Sequence, residues 1–547
     1  MFIVSNLDLS RLVIRWISAQ EFLQEAPTAH IVLINPKFEI SFWGLEHALP
    51  LIGKRANMPV AALPLIAALT PDKHSITIID ENVEAIDFDL CASADIVGVT
   101  GMIVQKKRIR EILSELRRRG VFTVVGGPWV SVNEAWYDNL ADVLFVGEAE
   151  ETWPQFLSQW EEGRHARRYE QAGKTDMTTV PPPRLDLLKM ERYAFGSVQF
   201  SRGCPFTCDF CDIIVIFGRR PRLKTSAQIM VELEALRNRK VEIVFIVDDN
   251  LIGNKKAMKE VLRDVVAWQK AQGFPLTFVT EASLDLADDA ELMALMAEAN
   301  IGAVFVGIES PNEDSLKEAS KLQNIRRGST MVEKVHRIQE AGMEVWAGMI
   351  VGFDNDDAHI FEAQRRFLTE ARISTAMVGM LSAIPKTPLH ERLRAAGRLD
   401  EAEDPRYGTN VLPLLMSRDE LSDGYVRLMA DLYESSAYFG RVDDLYLNAR
   451  VKIDGAWQAY ASAHPWIRAR RNAVLWLQSL ALFARLLIKI PEPALRRIYR
   501  RRFLAFLRAR PEPQVLRVYA LKCAIHWHMH VFVRTLESRA GPLVNSY

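Results

Sequence analysis

Phe200-Ser-Arg-Gly-Cys204-Pro-Phe-Thr-Cys208-Asp-Phe-Cys211 places three of the chain's five cysteines within eight residues. Residues 197–201 read as a β-strand, so the thiols fall on the loop at its carboxyl end. A tight group of thiols can bind zinc, form a redox dithiol or ligate an iron–sulfur cluster. Structural zinc requires four ligands, and the nearest histidines in either direction are His165 and His336, which disfavours zinc. A redox pair needs only two sulfurs and leaves Cys204 without a purpose. Three thiolates on a cube of four irons leave one iron open for a bidentate ligand.

Working downstream, strand-like runs recur at 242–247, 277–280, 302–308, 345–351 and 375–381, separated by helical periodicity at 226–239, 255–271, 288–299, 331–341 and 357–370. Six strand–helix repeats predict a partial (β/α)6 barrel of TIM type over residues 191–400, with its chemistry at the carboxyl ends of the strands. Working upstream, strands at 30–35, 75–80, 94–99, 122–125 and 141–146 alternate with helices at 60–69 and 106–119. That pattern predicts an α/β, doubly wound, Rossmann-like domain over residues 28–160. Ligands of such sheets lie beyond the strand carboxyl ends, where Thr100, Met102, Gly126, Gly127, Pro128, Ser131, Gly147 and Glu148 fall; the alternative is that the glycines only make tight turns. The polar stretch after residue 160 and Pro181-Pro182-Pro183 predict an extended linker over 161–190. Beyond residue 400 the strand pattern stops, and residues 401–547 read as helices punctuated by Pro465, Pro491, Pro493, Pro511 and Pro513.

At 547 residues the chain holds three or four domains of about 150 residues. Hydrophobic residues at 49% and charged residues at 25% exclude a disordered or fibrous architecture. A net charge of -1 removes any global case for nucleic-acid binding, and the few clustered cysteines point to a reducing, cytoplasmic setting. Residues 1–20 lack a cationic region ahead of their apolar stretch, which argues against a secretory signal. The longest apolar candidate, residues 473–484, is bracketed by arginines and is too short to span a bilayer.

The CxxxCxxC loop, with the aromatic Phe210 before its last cysteine, resembles that of the radical S-adenosylmethionine (SAM) enzymes. The resemblance implies that Cys204, Cys208 and Cys211 ligate a 4Fe-4S cluster whose open iron chelates SAM, and that one electron cleaves SAM to a 5'-deoxyadenosyl radical. It also implies SAM contacts for Phe210, for Asp248 and Asp249, whose carboxylates suit the ammonium, and for Glu281 and Ser283 at the ribose. Gly307 and Glu309 fall in the segment near the adenine and methionine moieties, and Gly352 lets the backbone approach the adenine. Each has a structural alternative: the aspartates as helix caps, Glu309 as an ion-pair partner.

A Rossmann-like domain ahead of such a barrel resembles the cobalamin-binding, class B radical SAM enzymes, mostly methyltransferases. The residue set on the Rossmann edge then becomes the candidate cobalamin contacts. Asn35-Pro-Lys-Phe-Glu39 departs from the D-x-H-x-x-G cobalamin motif and offers the cobalt no histidine. Residues 208–222, 247–254, 280–283 and 352–356 narrow the resemblance to a branch with a helical C-terminal domain that includes the hopanoid C-2 methylases. The implied reaction is radical methylation of an unactivated carbon, C-2 of a hopanoid ring A, with methylcobalamin as donor, two SAM consumed per turnover and an electron donor such as flavodoxin or ferredoxin. The rival readings are a non-methylating rearrangement or oxidation, and a cobalamin- or metal-binding regulatory protein without turnover.

Between Trp466 and Arg510 there are twelve cationic residues against Glu492 alone, interleaved with Trp476, Leu477, Leu480, Phe483, Leu486 and Leu487. Such segments suit peripheral contact with the cytoplasmic face of a membrane carrying a lipid substrate; the alternative is that the apolar faces pack on one another. No RNA-binding motif accompanies the arginines. His526, His528 and His530, near Cys523, would converge on a strand, but their neighbours predict a helix, on which i and i+2 diverge. Arg219, Arg220 and Arg222 meet either the SAM carboxylate or a carboxylate of the protein.

Overall fold

Apolar β-runs covered on both faces by helices form parallel sheets, and this chain builds two. The computed structural model describes residues 28–543, except 138, 327, 404, 449–450, 454 and 539–542, together with Asn545. The reading of residues 1–20 therefore lies outside the described residues.

The first sheet contains β1 (His30–Asn35), β2 (Ser75–Asp80), β3 (Ile96–Thr100), β4 (Thr123–Gly126), β5 (Val143–Val146) and β6 (Arg168–Glu170), in the order β2-β1-β3-β4-β5-β6 with every pairing parallel. Helix Lys106–Arg118 lays Ile109, Ile112, Leu113 and Leu116 on one face, all fully buried, at about 1.5–3 kcal/mol per side chain. Leu63, Ala67, Trp153, Phe156 and Leu157 cover the other face. The domain is Rossmann-like, as its periodicity predicts. The expected linker requires a correction: β6 lies within residues 161–190 and extends the sheet. Its single apolar side chain, Tyr169, is buried and stacks on Phe145, too little apolar sequence for a periodicity argument to detect.

The second sheet opens at β7 (Gly196–Val198). The chain then leaves it for a two-stranded antiparallel pair, β8 (Ser201–Arg202) and β9 (Arg222–Leu223), whose connection holds the three thiols. The sheet continues with β10 (Ile243–Ile246), β11 (Thr277–Glu281), β12 (Ile301–Glu309), β13 (Glu344–Val351) and β14 (Thr375–Met380). Its order, β7-β10-β11-β12-β13-β14, is the six-stranded partial barrel.

From Arg418 onward the described residues form helices. Pro465, Pro493 and Pro513 open the last three, where a missing N–H costs nothing. Helix Pro513–Ser538 anchors this region to the amino ends of the barrel strands: the Lys522 ammonium pairs with Glu344, which also accepts bonds from Tyr446 (2.5 Å) and Ser374 (2.8 Å). At the opposite end, Asn545 accepts from the Met380 amide (2.9 Å) and donates to its carbonyl (2.7 Å) where β14 finishes. One expectation is revised: helix Pro465–Lys489 is, by length and composition, long and apolar enough to cross a membrane, although its uninterrupted apolar run is short. It buries Leu482, Phe483 and Leu486 in the protein core.

Candidate active site

The thiol loop is closed at its base by the β8–β9 ladder and tied down by the two aspartates that end β10. Asp248 accepts from the Phe200 amide (2.7 Å) and the Ser201 hydroxyl (2.6 Å), and Asp249 from the Gly203 amide (2.7 Å). Gly203 adopts φ +94°, and a Cβ there would meet the carbonyl oxygens of Gly218 and Arg220 at 3.0 Å, so only glycine makes this turn. Asn250 directs its amide toward the Cys204 sulfur at 3.8 Å, and Gln323 directs its own toward the Cys208 sulfur at 3.6 Å. Burial pushes the Cys204 and Cys211 thiols up from their ordinary range, a cost that coordination to a metal reverses. Among the described residues no three His, Cys, Asp or Glu side chains converge on a single metal ion. Three thiols on one loop, two with amide donors at sulfur and with no fourth ligand, instead fit a larger iron–sulfur cube with one open corner.

Around the thiols the barrel edge is densely acidic. Burial raises Asp248 to about 7, Asp249 to about 6 and Glu281 to about 8, the last also repelled by both aspartates. The Glu281 carboxyl has no hydrogen-bond partner among the described residues, which leaves it free to receive a donor from a ligand. Asp248 and Asp249 lie on the expected edge, but their hydrogen bonds go to the thiol loop. Ser283 bonds to Asn250 (3.1 Å) and Asp285 (2.5 Å), so it holds Asn250 beside Cys204. Gly352, at φ +99°, turns the chain at the end of β13 with its amide on Asp356 (3.0 Å).

Lys321, which sequence reasoning missed, is the cation at this edge. Its ammonium pairs with Glu309 at 2.7 Å and lies 5.9 Å from the Phe210 ring centre. Burial disfavours its charge, but Glu309, Cys208 and Cys211 outweigh burial and hold it above the usual lysine range. Glu309 reaches it from a bulge between β12 and β13, with φ +66°, strained for a side-chain-bearing residue. Gly307 gives the pair room, since a Cβ there would stand 2.8 Å from the Lys321 nitrogen. Phe210 is buried and meets Phe353 edge-on at 6.3 Å.

On the Rossmann-like edge, Thr100, Gly126, Gly127, Ser131 and Gly147 come together at the carboxyl ends of β3, β4 and β5. Ser131, on helix Pro128–Val132, donates to the Gly127 carbonyl (2.9 Å) and accepts from the Gly147 amide (2.8 Å). Met102 stands 45% exposed beside them. Glu148 does not join this group: it is buried and accepts from Arg202 and Arg222, each at 3.0 Å, across to the thiol loop. That pair also answers the arginine question for Arg222, whose partner is a carboxylate of the protein. A cavity of about 470 Å³ lies between the Rossmann-like domain and the chain that follows β14, lined by Ile103 and Trp129 on one side and by Ser382, Ala383, Ile384 and residues of 399–410 on the other.

The histidine trio lies on one helix and diverges, as expected: His526 contacts Tyr499 (2.7 Å), His528 the Ser41 carbonyl (2.9 Å) and His530 Glu492 (3.0 Å). Burial depresses His526 to about 3 and His528 to about 4, which keeps both neutral packing groups.

Comparison with known proteins agrees with this architecture. Residues 198–367 match the Radical SAM superfamily, and residues 387–540 match a domain of unknown function, DUF4070. An uncharacterized methyltransferase of Synechocystis is 39% identical over 419 residues, covering 75% of this chain and 77% of that one. The hopanoid C-2 methylase of Rhodopseudomonas palustris is 36% identical over 419 residues, covering 76% and 78%. Among solved structures, the cobalamin-dependent SAM radical enzyme OxsB, with aqua-cobalamin and SAM bound, superposes with a TM-score of 0.59 at 15% identity over 96% of this chain and 82% of that one. At that identity the likeness is one of fold. Identity of 36–39% sustained over three quarters of the sequence makes this chain a member of the radical SAM superfamily, within its methyltransferases.

Proposed function

We propose that the protein is a cobalamin-dependent radical SAM methyltransferase that adds a methyl group to an unactivated carbon of a polycyclic lipid, C-2 of a hopanoid. The observation that carries the substrate class is the 36% identity to a hopanoid C-2 methylase over 76% of the chain. The chemistry also favours a radical route, because a saturated ring carbon has no lone pair for polar methyl transfer. When bound, the cluster supplies the electron that cleaves SAM to a hydrogen-abstracting radical, and cobalamin supplies the methyl group.

The chain's own task is to hold and orient. Cys204, Cys208 and Cys211 hold the cluster, Asp248 and Asp249 fix the loop that carries them, and Asn250 and Gln323 donate toward two of the sulfurs. Glu281, with its unpartnered carboxyl, receives the ammonium or ribose hydroxyls of SAM; Ser283, Gly307, Glu309, Gly352 and Phe210 shape the remainder of that pocket. Thr100, Met102, Gly126, Gly127, Pro128, Ser131 and Gly147 receive cobalamin on the facing edge, and Glu148 ties that edge to the thiol loop through Arg202 and Arg222. A flavodoxin or ferredoxin delivers the electron, and a lipid substrate brings the enzyme to the cytoplasmic face of the membrane.

The test is expression in a hopanoid-producing host that makes no 2-methylhopanoids, fed methyl-deuterated methionine. A deuterated 2-methylhopanoid is expected with the native sequence and none with the C204A/C208A/C211A variant. Unchanged hopanoids, with cluster-loaded protein present in the cells, reject the substrate; an altered but unlabelled product rejects methylation.

A further inference from the structure

The three most exposed large apolar side chains among the described residues lie on one helix: Trp466 (87%), Ile488 (77%) and Leu477 (68%) on Pro465–Lys489. With Val474 and Leu480 they form a stripe about 33 Å long on the face opposite Leu482, Phe483 and Leu486, which are buried. A surface helix of a soluble domain turns one apolar face inward and a polar face outward; this helix is apolar on both. By helical spacing Arg470 falls within the arc of the stripe and Arg468 on the opposite side. Arg468 and Arg470 on the same helix, and Arg497, Arg500, Arg501 and Arg508 on Pro493–Ala509, are all exposed, and none has a carboxylate partner among the described residues. Other arginines nearby do have carboxylate partners, half-buried Arg502 with Asp443 and exposed Arg534 with Glu492.

We propose that helices Pro465–Lys489 and Pro493–Ala509 form a platform that rests on an anionic lipid bilayer, the apolar stripe entering the acyl boundary and the six unpaired arginines meeting the headgroup phosphates. Charge complementarity selects this occupant. Unpaired like charges exposed on both helices oppose a second copy of this surface, whereas each cation gains about 1 kcal/mol near an anionic leaflet. A tryptophan and four aliphatic side chains standing in water are satisfied by hydrocarbon, which a nucleic acid does not offer. The helix lies on the membrane and does not cross it, because its inner face is packed into the core and Arg485 donates to the Leu51 carbonyl (3.0 Å). That contact places the platform against the segment whose Trp43 packs on Phe305 of β12 and Trp346 of β13 (ring centres 5.0 and 6.5 Å), a short route from bilayer to barrel. The proposal stands on the exposed surface alone and goes beyond the hopanoid reading.

The test is flotation of the full-length protein with vesicles of phosphatidylcholine containing about 30 mol% phosphatidylglycerol, against phosphatidylcholine alone. The native chain is expected to float with the anionic vesicles, to be released by high salt or alkaline carbonate, and to bind the neutral vesicles at least about tenfold less. Both W466S/L477S/I488S and R497E/R500E/R501E are expected to lose at least about tenfold in binding while keeping native circular dichroism and iron content. No binding by the native chain, equal binding to neutral vesicles, or resistance to carbonate overturns the proposal. So does loss in the arginine variant alone, which marks a generic polyanion surface, or a dimer dissolved by the serine variant, which marks a second copy as the occupant. Because vesicle binding is read without turnover, its failure is distinct from failure of the methylation assay.

Discussion

The carboxyl ends of the two parallel sheets are bridged by Glu148 and its two arginines but are equipped in opposite ways. The barrel edge works with charged side chains: three thiols, the carboxyls of Asp248, Asp249, Glu281 and Glu309, and the Lys321 ammonium, all drawn into a low-dielectric site. The Rossmann-like edge works with backbone and hydroxyls, and its carboxylates Glu148 and Glu150 are paired with arginines of the barrel loop. The difference suits the ligands proposed for each edge: a cluster and a sulfonium are recognised by charge, whereas a large, mostly uncharged macrocycle is recognised by shape and by amide-scale hydrogen bonds. Charge changes should therefore break the first edge and leave the second intact, and shape changes should do the reverse.

The largest expected effect is on the thiols. Any one of C204A, C208A or C211A, reconstituted without oxygen, should bind little or no iron and form no 5'-deoxyadenosine, while the Rossmann-like sheet retains its circular dichroism. Full iron content in all three variants would remove the basis for placing the cluster on this loop.

Next comes the buried pair. K321M keeps the length of the side chain but removes the ammonium from buried Glu309, so unfolding free energy should fall by up to about 3–5 kcal/mol, and E309Q/K321M should recover part of it. Removing a positive charge beside Cys208 and Cys211 disfavours the added electron, so the cluster midpoint, followed by EPR during a reductive titration, should move to a more negative potential. A single variant with native stability and an unmoved midpoint would reduce Lys321 to a bystander.

The pair also marks where sequence reading stops. The strands were legible because both faces of each sheet are buried, which writes them as apolar runs, and the thiol loop was legible because its residues are contiguous. Glu281 and Phe210 fall where strand position predicts. Lys321 carries no local signal: it sits in the link between the short helices Glu313–Glu318 and Leu322–Ile325, and its significance comes from Glu309 on another element and from thiols more than a hundred residues upstream. Asp248 and Asp249 were assigned to the correct edge, but position alone cannot say that their oxygens turn back onto the loop of residues 200–203. Glu148 was grouped with its neighbours for the same reason, although its partners Arg202 and Arg222 belong to the other domain. Strand ends are local properties of sequence; the direction in which a strand-end side chain points is a tertiary one.

The smallest effects, and the sharpest contrast, belong to the Rossmann-like edge. Gly127 has φ +107° and ψ 178°, a region open essentially to glycine alone, and a Cβ would stand 2.6 Å from the Thr100 hydroxyl and 2.9 Å from the Gly101 backbone. G127A should therefore cost about 1–3 kcal/mol of stability and reduce cobalamin retention, with iron content and the cluster midpoint unchanged. M102A removes a side chain that is 45% exposed and should change stability by no more than about 0.5 kcal/mol, so any fall in cobalamin retention reports contact with the ligand and not damage to the fold. Equilibrium dialysis against aqua-cobalamin, with denaturant unfolding and iron analysis on the same preparations, separates the two. If G127A instead loses its iron while keeping cobalamin, the division of labour between the edges is wrong, because a shape change on one edge would then have acted through charge on the other.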